Sequence, residues 1–378
     1  MIGYHVFLSS HLLTFLNFAK EAVVANAINN LIKSALREKT FPGGVLLASR
    51  QGDIIVQEAF GKTDDDSDIS VSPDTIYDLA SLTKPLATTL AVMHLMEKMG
   101  LRLEQTLGDI LPACKGTGKA GITVEHLLAH QSGLPGYRPY WMALAGTTAS
   151  ERDADLKKQL VLEQLEHPIG SKTLYSDLGF MFLRWVVERV SGIKMSLLVE
   201  KKIYRPLGIE ELFFPGAGGL VTDRFAPTEM CAWRKTLVQG VVHDENAFAV
   251  GGIDGHAGLF GTAPAVHDLL WNVLCAYAGQ SNNRGLPQNH VQTFLNYGKG
   301  HERALGFDRP TQPGSSSGQH FSENSVGHLG FTGTSFWMNL EQGIIVVLLT
   351  NRIHPTRENE GIKDFRPKIH DAVMQYIL

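Results

Sequence analysis

The first periodic stretch of the chain runs from Ala22 to Leu36, where Val23, Ala27, Ile28, Leu31, Ile32 and Leu36 recur at helical spacing. That pattern predicts an amphipathic helix, broken by Pro42-Gly43-Gly44. Residues from Val45 to Ser49 and from Ile54 to Phe60 then read as two strands around a Gln51-Gly52-Asp53 turn. A polar loop from Asp64 to Ser72 follows. The longest helical periodicity spans Leu82 to Met99, with Pro85 in its first turn, where proline is tolerated, and Gly100 as its stop.

The middle of the chain predicts mainly helices. Thr123 can cap one running through Glu125 to His130. Others are expected from Leu156 to Glu166, from Leu178 to Val190 ahead of Ser191-Gly192, and from Ala265 to Tyr277. Gly216 to Gly219, Gly251 to Gly261, Gly279 to Pro287 and Pro310 to Gln319 read as loops. Strand character returns at the end. Ser335 to Leu340 alternates, Glu341-Gln342-Gly343 turns, and Ile344 to Leu349 is a continuous aliphatic run suited to a central strand. A helix from Asp364 to Ile377 closes the chain. Strands at both ends and helices between them predict an α/β (α+β) domain built from residues 20–80 and 255–378, with a mainly helical domain, 81–254, inserted. Residues 1–19 form an N-terminal extension in this scheme.

Composition narrows the class. The chain has 378 residues, 44% hydrophobic and 19% charged, which is ordinary for a globular protein. With 34 basic and 38 acidic residues its net charge is −4, which argues against a nucleic-acid binder that relies on a basic face. Cys114, Cys231 and Cys275 are too few and too dispersed for a disulfide framework or a cysteine-rich zinc site. The apolar stretch from Val6 to Phe18 is too short to span a bilayer, and no Lys or Arg precedes it as in a secretory signal. Ala25-Asn26-Ala27 resembles a cleavage site but sits inside a helical pattern. The expectation is no transmembrane segment and an open localisation, with the cytoplasm favoured slightly over export. Oligomeric state is not readable.

Ser-x-x-Lys occurs twice, at Ser81–Lys84 and Ser191–Lys194. The chemistry needs the amine one helical turn from the hydroxyl, at an exposed helix start. Ser81 opens the strongest helix, whereas Ser191 follows a helix end and reads as a terminator. Tyr175-Ser176-Asp177 precedes another helix; a phenol near a lysine can have its pKa lowered and act as general base, and Asp177 can cap. Gly327-His328-Leu329-Gly330 immediately precedes strands, where glycine allows a substrate to lie against a strand edge. Other patterns read as decoys. Gly314-Ser315-Ser316-Ser317-Gly318 matches Gly-x-Ser-x-Gly but lies in a Pro-Gly-Ser stretch, a solvated loop rather than a nucleophile elbow. His126 and His130 share i, i+4 spacing without an HExxH glutamate, and read as structural. Lys115-Gly116-Thr117-Gly118-Lys119 fails the phosphate-loop spacing. His243-Asp244-Glu245-Asn246 and His256 either line the pocket or fix loop geometry.

The order Ser-x-x-Lys, Tyr-x-Asp, His-x-Gly resembles the serine β-lactamase-like hydrolases of the class C type, a family that includes class C β-lactamases, D-alanyl-D-alanine peptidases, penicillin-binding-protein-like enzymes and esterases. Asp78-Leu79-Ala80, His126 to Pro135 and His256 to Thr262 carry the same character, and the resemblance covers about residues 40–378. It implies an antiparallel sheet flanked by helices, with the active site at the interface with the helical domain. It also implies Ser81 as the acylated nucleophile, Lys84 as its partner, and Tyr175 as the residue that takes the Ser81 proton and passes it to the leaving group. Asp177 would touch the substrate where class C enzymes have Asn. His328 and Leu329 stand where the lactamases have Lys and Thr, ahead of Gly330. The backbone N–H groups of Ser81 and Phe331 would form the oxyanion hole. A register shifted to Phe331-Thr332-Gly333 puts Phe at the cationic position and is rejected. No cofactor and no metal are implied.

The departures bear on substrate. His is largely neutral near pH 7 and the Thr hydroxyl is missing at Leu329, while an ionised Asp177 accepts but does not donate and adds negative charge where an anionic substrate would approach. A β-lactam carboxylate thus loses two contacts, so a small-molecule ester, amide or peptide substrate is expected, with esters favoured. The competing expectations are a D-alanyl-D-alanine carboxypeptidase or β-lactamase, a slowly deacylating penicillin-binding protein, and a metal-dependent hydrolase using His126 and His130. Specificity would reside in loops 135–150, 214–256 and 305–325.

Overall fold

A computed structural model describes residues 26–378, apart from 217, 221, 281–284, 299–301 and 312; the extension 1–19 lies outside the described residues. Its frame is one seven-stranded sheet. The strands are β1 (Gly43–Arg50), β2 (Asp53–Gly61), β3 (Arg303–Ala304), β4 (Phe307–Asp308), β5 (Val326–Leu329), β6 (Ser335–Asn339) and β7 (Ile344–Thr350). Their spatial order is β2-β1-β7-β6-β5-β4-β3, and every pairing is antiparallel. The two ends of the chain meet at β1 and β7, where Leu46 faces Leu348 and Ala48 faces Val346.

Both faces of the sheet are covered, which is why β7 is aliphatic throughout. Successive side chains of a strand point to opposite faces. Val45, Leu47, Ile345, Val347 and Leu349 enter a large core with the helix Ala263–Ala278. Leu46, Ala48, Ile344, Val346 and Leu348 enter a second core with Ile28 and Ile32 of the first helix and Ile369 and Val373 of the last, Ile362–Ile377.

Three local expectations change. The stretch after Leu82 is not one α-helix: a tight 3-10 turn, Ala80–Leu82, leads into wide π-type turns over Lys84–Thr89 before the α-helix Leu90–Met99. The helix expected to end at Glu166 is Ala149–Leu162, opened by a capping box between Thr148 and Glu151. His328 does not precede a strand but sits inside β5, paired with Phe336 of β6.

Candidate active site

The turn that carries Ser81 is built by strain and its compensation. Tyr77–Asp78 is a short strand, and Ala80 then takes a left-handed φ of 48°, unusual for a residue with a Cβ. The Asp78 carboxylate holds that turn. One oxygen accepts the Ala80 N–H at 2.9 Å and the other the His243 N–H at 2.7 Å. The Thr332 and Thr334 hydroxyls donate to the carbonyls of Asp78 and Leu79 at 2.7 and 3.1 Å, tying the end of β5 to the turn.

Three residues after Ser81, the Lys84 side chain is fully buried beneath it. Its Nζ lies 3.0 Å from Ser81 Oγ, 2.7 Å from Asp177 Oδ1 and 3.4 Å from the His256 carbonyl, and 4.7 Å from the centre of the Tyr175 ring. Burial alone would lower the lysine pKa, but the Asp177 carboxylate and Tyr175 outweigh it, and the net direction is upward. Tyr175 also moves upward: burial dominates over the pull of Lys84, so the phenol rests neutral. The lowered phenol pKa expected from proximity to a lysine is therefore corrected, because desolvation of the phenol outweighs the lysine's pull.

Tyr175 is clamped. The His130 ring packs against it at 4.7 Å, and the Arg303 guanidinium covers it at 5.1 Å. His130 Nδ1 accepts the Ser176 N–H at 3.0 Å, and burial keeps this imidazole neutral. Ser176, not Asp177, caps the helix Asp177–Ser191 with its hydroxyl. The Asp177 carboxylate is instead committed to Lys84.

His328 is buried, and its pKa is pushed down to about 4, chiefly by desolvation. Nδ1 lies 2.9 Å from the Leu329 carbonyl, which only accepts, so Nδ1 carries the proton. Nε2 then presents a lone pair, and it has no partner among the described residues. His328 lines the pocket as a neutral, buried ring.

Gly330 is required by a close approach. A Cβ there would come within 2.0 Å of Thr334 Oγ1 and 2.8 Å of the Leu79 carbonyl. That close approach fits the end of β5 to the turn that carries Ser81. Gly330→Ala should therefore cost about 1–3 kcal/mol of stability and lower activity together, read by thermal melting and ester kinetics. Phe331 is half exposed, with its ring near His243 at 5.7 Å and under Arg352 at 4.6 Å.

A cavity of about 640 Å³ opens over this cluster. Ser81, Tyr175, Asp177, His328, Gly330 and Phe331 all line it, and Lys84 forms its floor through Ser81. His243, Asp244, Glu245 and His256 line it too, while buried Asn246 braces the Trp141 and Arg138 backbone. Tyr137 and Asp308 bring in the first and last of the expected specificity loops.

The decoys fall elsewhere. Ser191 ends its helix and bonds to Ile193. His126 closes a capping box with Thr123, and no group of three metal-binding side chains occurs among the described residues. Lys119 donates to the carbonyls of Val161 and Glu163. The Gly314–Gly318 loop departs from expectation in being partly buried: Ser315 and Ser317 are inaccessible and 2.7 Å apart, packed by the last helix rather than solvated.

Comparison with known proteins places the molecule among the serine hydrolases. The family model described as Beta-lactamase matches residues 28–369, and the chain belongs to that family. A Bacillus subtilis (strain 168) protein named N-acetylmuramyl-L-alanine amidase is 32% identical, over 83% of this chain and 78% of its own. An Escherichia coli K12 protein, named provisionally as a D-alanyl-D-alanine carboxypeptidase, is 29% identical over 83% and 79%. Among solved structures, EstCE1, described as a hydrolase with promiscuous acyltransferase activity, superposes with a TM-score of 0.71 at 22% identity, covering 94% of this chain and 99% of that one. A class C beta lactamase gives 0.70 at 15% identity over 93% and 98%. At these identities the structures establish the shared fold. No helix among the described residues is long and apolar enough to cross a membrane.

Proposed function

We propose that the protein hydrolyses a small ester or amide through an acyl-enzyme on Ser81, with esters the better substrates. The observation that carries this is the contact of Ser81 Oγ with the buried Lys84 amine at 3.0 Å, beside Tyr175 and at the bottom of an open cavity. Lys84 in its free-base form takes the Ser81 proton as Oγ attacks the carbonyl. The developing oxyanion is received by the Ser81 and Phe331 N–H groups. The Tyr175 phenol gives its proton to the leaving group and is reprotonated by Lys84, so the serine proton is carried over in two steps. Water then adds to the acyl carbonyl and gives one proton to Lys84, which passes that proton to Ser81 Oγ as the serine leaves, so the acid is released and the lysine returns to its free base.

The Asp177–Lys84 pair gives this scheme a pH signature. Asp177 raises the lysine pKa, so the free base is scarce at neutral pH and kcat/KM should rise with pH into the alkaline range. Asp177→Asn removes the charge that raises it, and the ascending limb should move to lower pH. A limb that stays in place would show that Lys84 is not the group being titrated.

Weak β-lactamase activity follows from His328. A neutral ring supplies no cation for the carboxylate of a penicillin or cephalosporin. The test is a panel of a penicillin, a cephalosporin and an activated butyrate ester. Turnover of the ester well above the two lactams is expected. Cephalosporin turnover exceeding that of the ester would overturn the preference.

A further inference from the structure

The hairpin of β3 and β4 carries a charge pair that the reaction scheme leaves idle. Arg303 and Asp308 are direct cross-strand partners, and the guanidinium donates to the Asp308 carboxylate. The two side chains retain 21% and 19% exposure. Asp308 lines the cavity, while the Arg303 guanidinium lies 5.1 Å from the centre of the Tyr175 ring.

The hairpin is anchored on both sides. Asp308 pairs with Gly327 of β5. At the tip, the Gly306 N–H donates to the Leu128 carbonyl at 3.0 Å, two residues before His130. A Cβ on Gly306 would come within 2.1 Å of Thr89 Oγ1, so the tip is held close. One frame thus fixes Arg303 and the His130 ring against the same phenol.

Arg303 differs from other buried arginines of this region. Arg309, Arg352 and Arg366 donate to backbone carbonyls and so brace the chain. Among the described residues, the Arg303 guanidinium donates to Asp308 and to no backbone carbonyl. The imidazoles beside Tyr175 supply no charge, since burial keeps His130 and His328 neutral. Lys84 is close, at 4.7 Å from the ring centre, but in the scheme above it gives up its proton within each cycle. Arg303 stays cationic throughout. When the phenol gives its proton to the leaving group, the ring becomes an anion in a desolvated place. A fixed cation over the ring stabilises that anion and holds the phenol in line.

We infer that Arg303 is a positioning residue for the general-acid step, acting through Tyr175 to suit the enzyme to alkyl esters and amides, whose leaving groups depart only with a proton. The Tyr175 O–H bond breaks as the departing oxygen or nitrogen gains that hydrogen, and Lys84 then returns a proton to the phenolate. Arg303 gains and loses none. The inference rests on the acyl-hydrolase reading above and deepens it by naming the kind of leaving group.

Two butyrates with one acyl group test it. The phenolate of p-nitrophenyl butyrate leaves without a proton, and the alkoxide of ethyl butyrate does not. The ratio of their kcat/KM values is independent of how much of a variant is folded. Arg303→Gln should raise the p-nitrophenyl-to-ethyl ratio about tenfold or more. Arg303→Lys keeps the charge without the planar fork and should fall between Arg303→Gln and the wild type. Tyr175→Phe should raise the ratio at least as far, and adding Arg303→Gln to it should raise it no further. Both esters slowed by one factor in Arg303→Gln would overturn the inference, since the arginine would then only support the fold. A further rise in the Tyr175→Phe background would overturn it too, because Arg303 would not be acting through the phenol. Should Arg303→Gln yield no folded enzyme, Arg303→Lys decides, and a wild-type ratio there counts against the inference. A wild-type ratio in Tyr175→Phe, or no Ser81-dependent hydrolysis of either ester, would instead overturn the underlying reading of the reaction.

Discussion

Ser81→Ala should lower ester kcat/KM by about three orders of magnitude or more, because the group removed is the one that forms the covalent bond. The fold should persist. Ser81 Oγ contacts Lys84 at 3.0 Å, and the turn it occupies has Leu79 at its N-cap with no side-chain cap bond. A serine that served only as a helix cap would behave in the opposite way, losing about 1 kcal/mol of stability and no activity. Parallel melting curves and progress curves for the two proteins separate these outcomes.

Lys84→Met should be nearly as damaging to turnover, with kcat down about 10²- to 10⁴-fold, and it should also destabilise. Breaking a buried ion pair by removing one partner costs about 3–5 kcal/mol. The Asp177 side chain retains 18% exposure, so the lower part of that range is expected. The double variant Lys84→Met with Asp177→Asn removes both charges and should recover much of the stability but none of the activity. That separation is the informative result. If the double variant regained turnover, proton transfer would not pass through Lys84.

Much of this site is written in short segments of the chain. Ser81 and Lys84 are three residues apart, so one turn brings them together whatever surrounds it. The hairpin at Gln51-Gly52 and the aliphatic run of β7 are likewise local patterns, and their strands differ from expectation only at the ends. What was not legible depends on contacts between distant segments. The Thr332 hydroxyl holds Asp78 across 254 positions, and Asp78 holds the backbone of His243 across 165. His130 reads as an isolated histidine until the fold lays its ring on Tyr175.

Local signals also misled where a side chain from elsewhere overrode them. The helix expected to reach Glu166 stops at Leu162, where Lys119 takes the carbonyls on either side of its end. Strand β5 is only four residues long, Val326-Gly327-His328-Leu329, and has too little alternation to reveal it. Gly327 is there because a Cβ would come within 2.4 Å of the Phe336 carbonyl. The phenol of Tyr175 was expected to be acidified by Lys84, but its burial, a property of the whole fold, outweighs that pull.

The central claim is a covalent acyl-enzyme on Ser81. The most direct measurement is the intact mass of the protein after brief incubation with a penicillin and with an activated butyrate ester, followed by peptide mapping of any adduct. The account predicts a mass gain equal to one acyl group, located on the peptide that contains Ser81 and absent from Ser81→Ala. An adduct of the same size on Ser81→Ala, or one mapped to the Ser315–Ser317 loop, would contradict it.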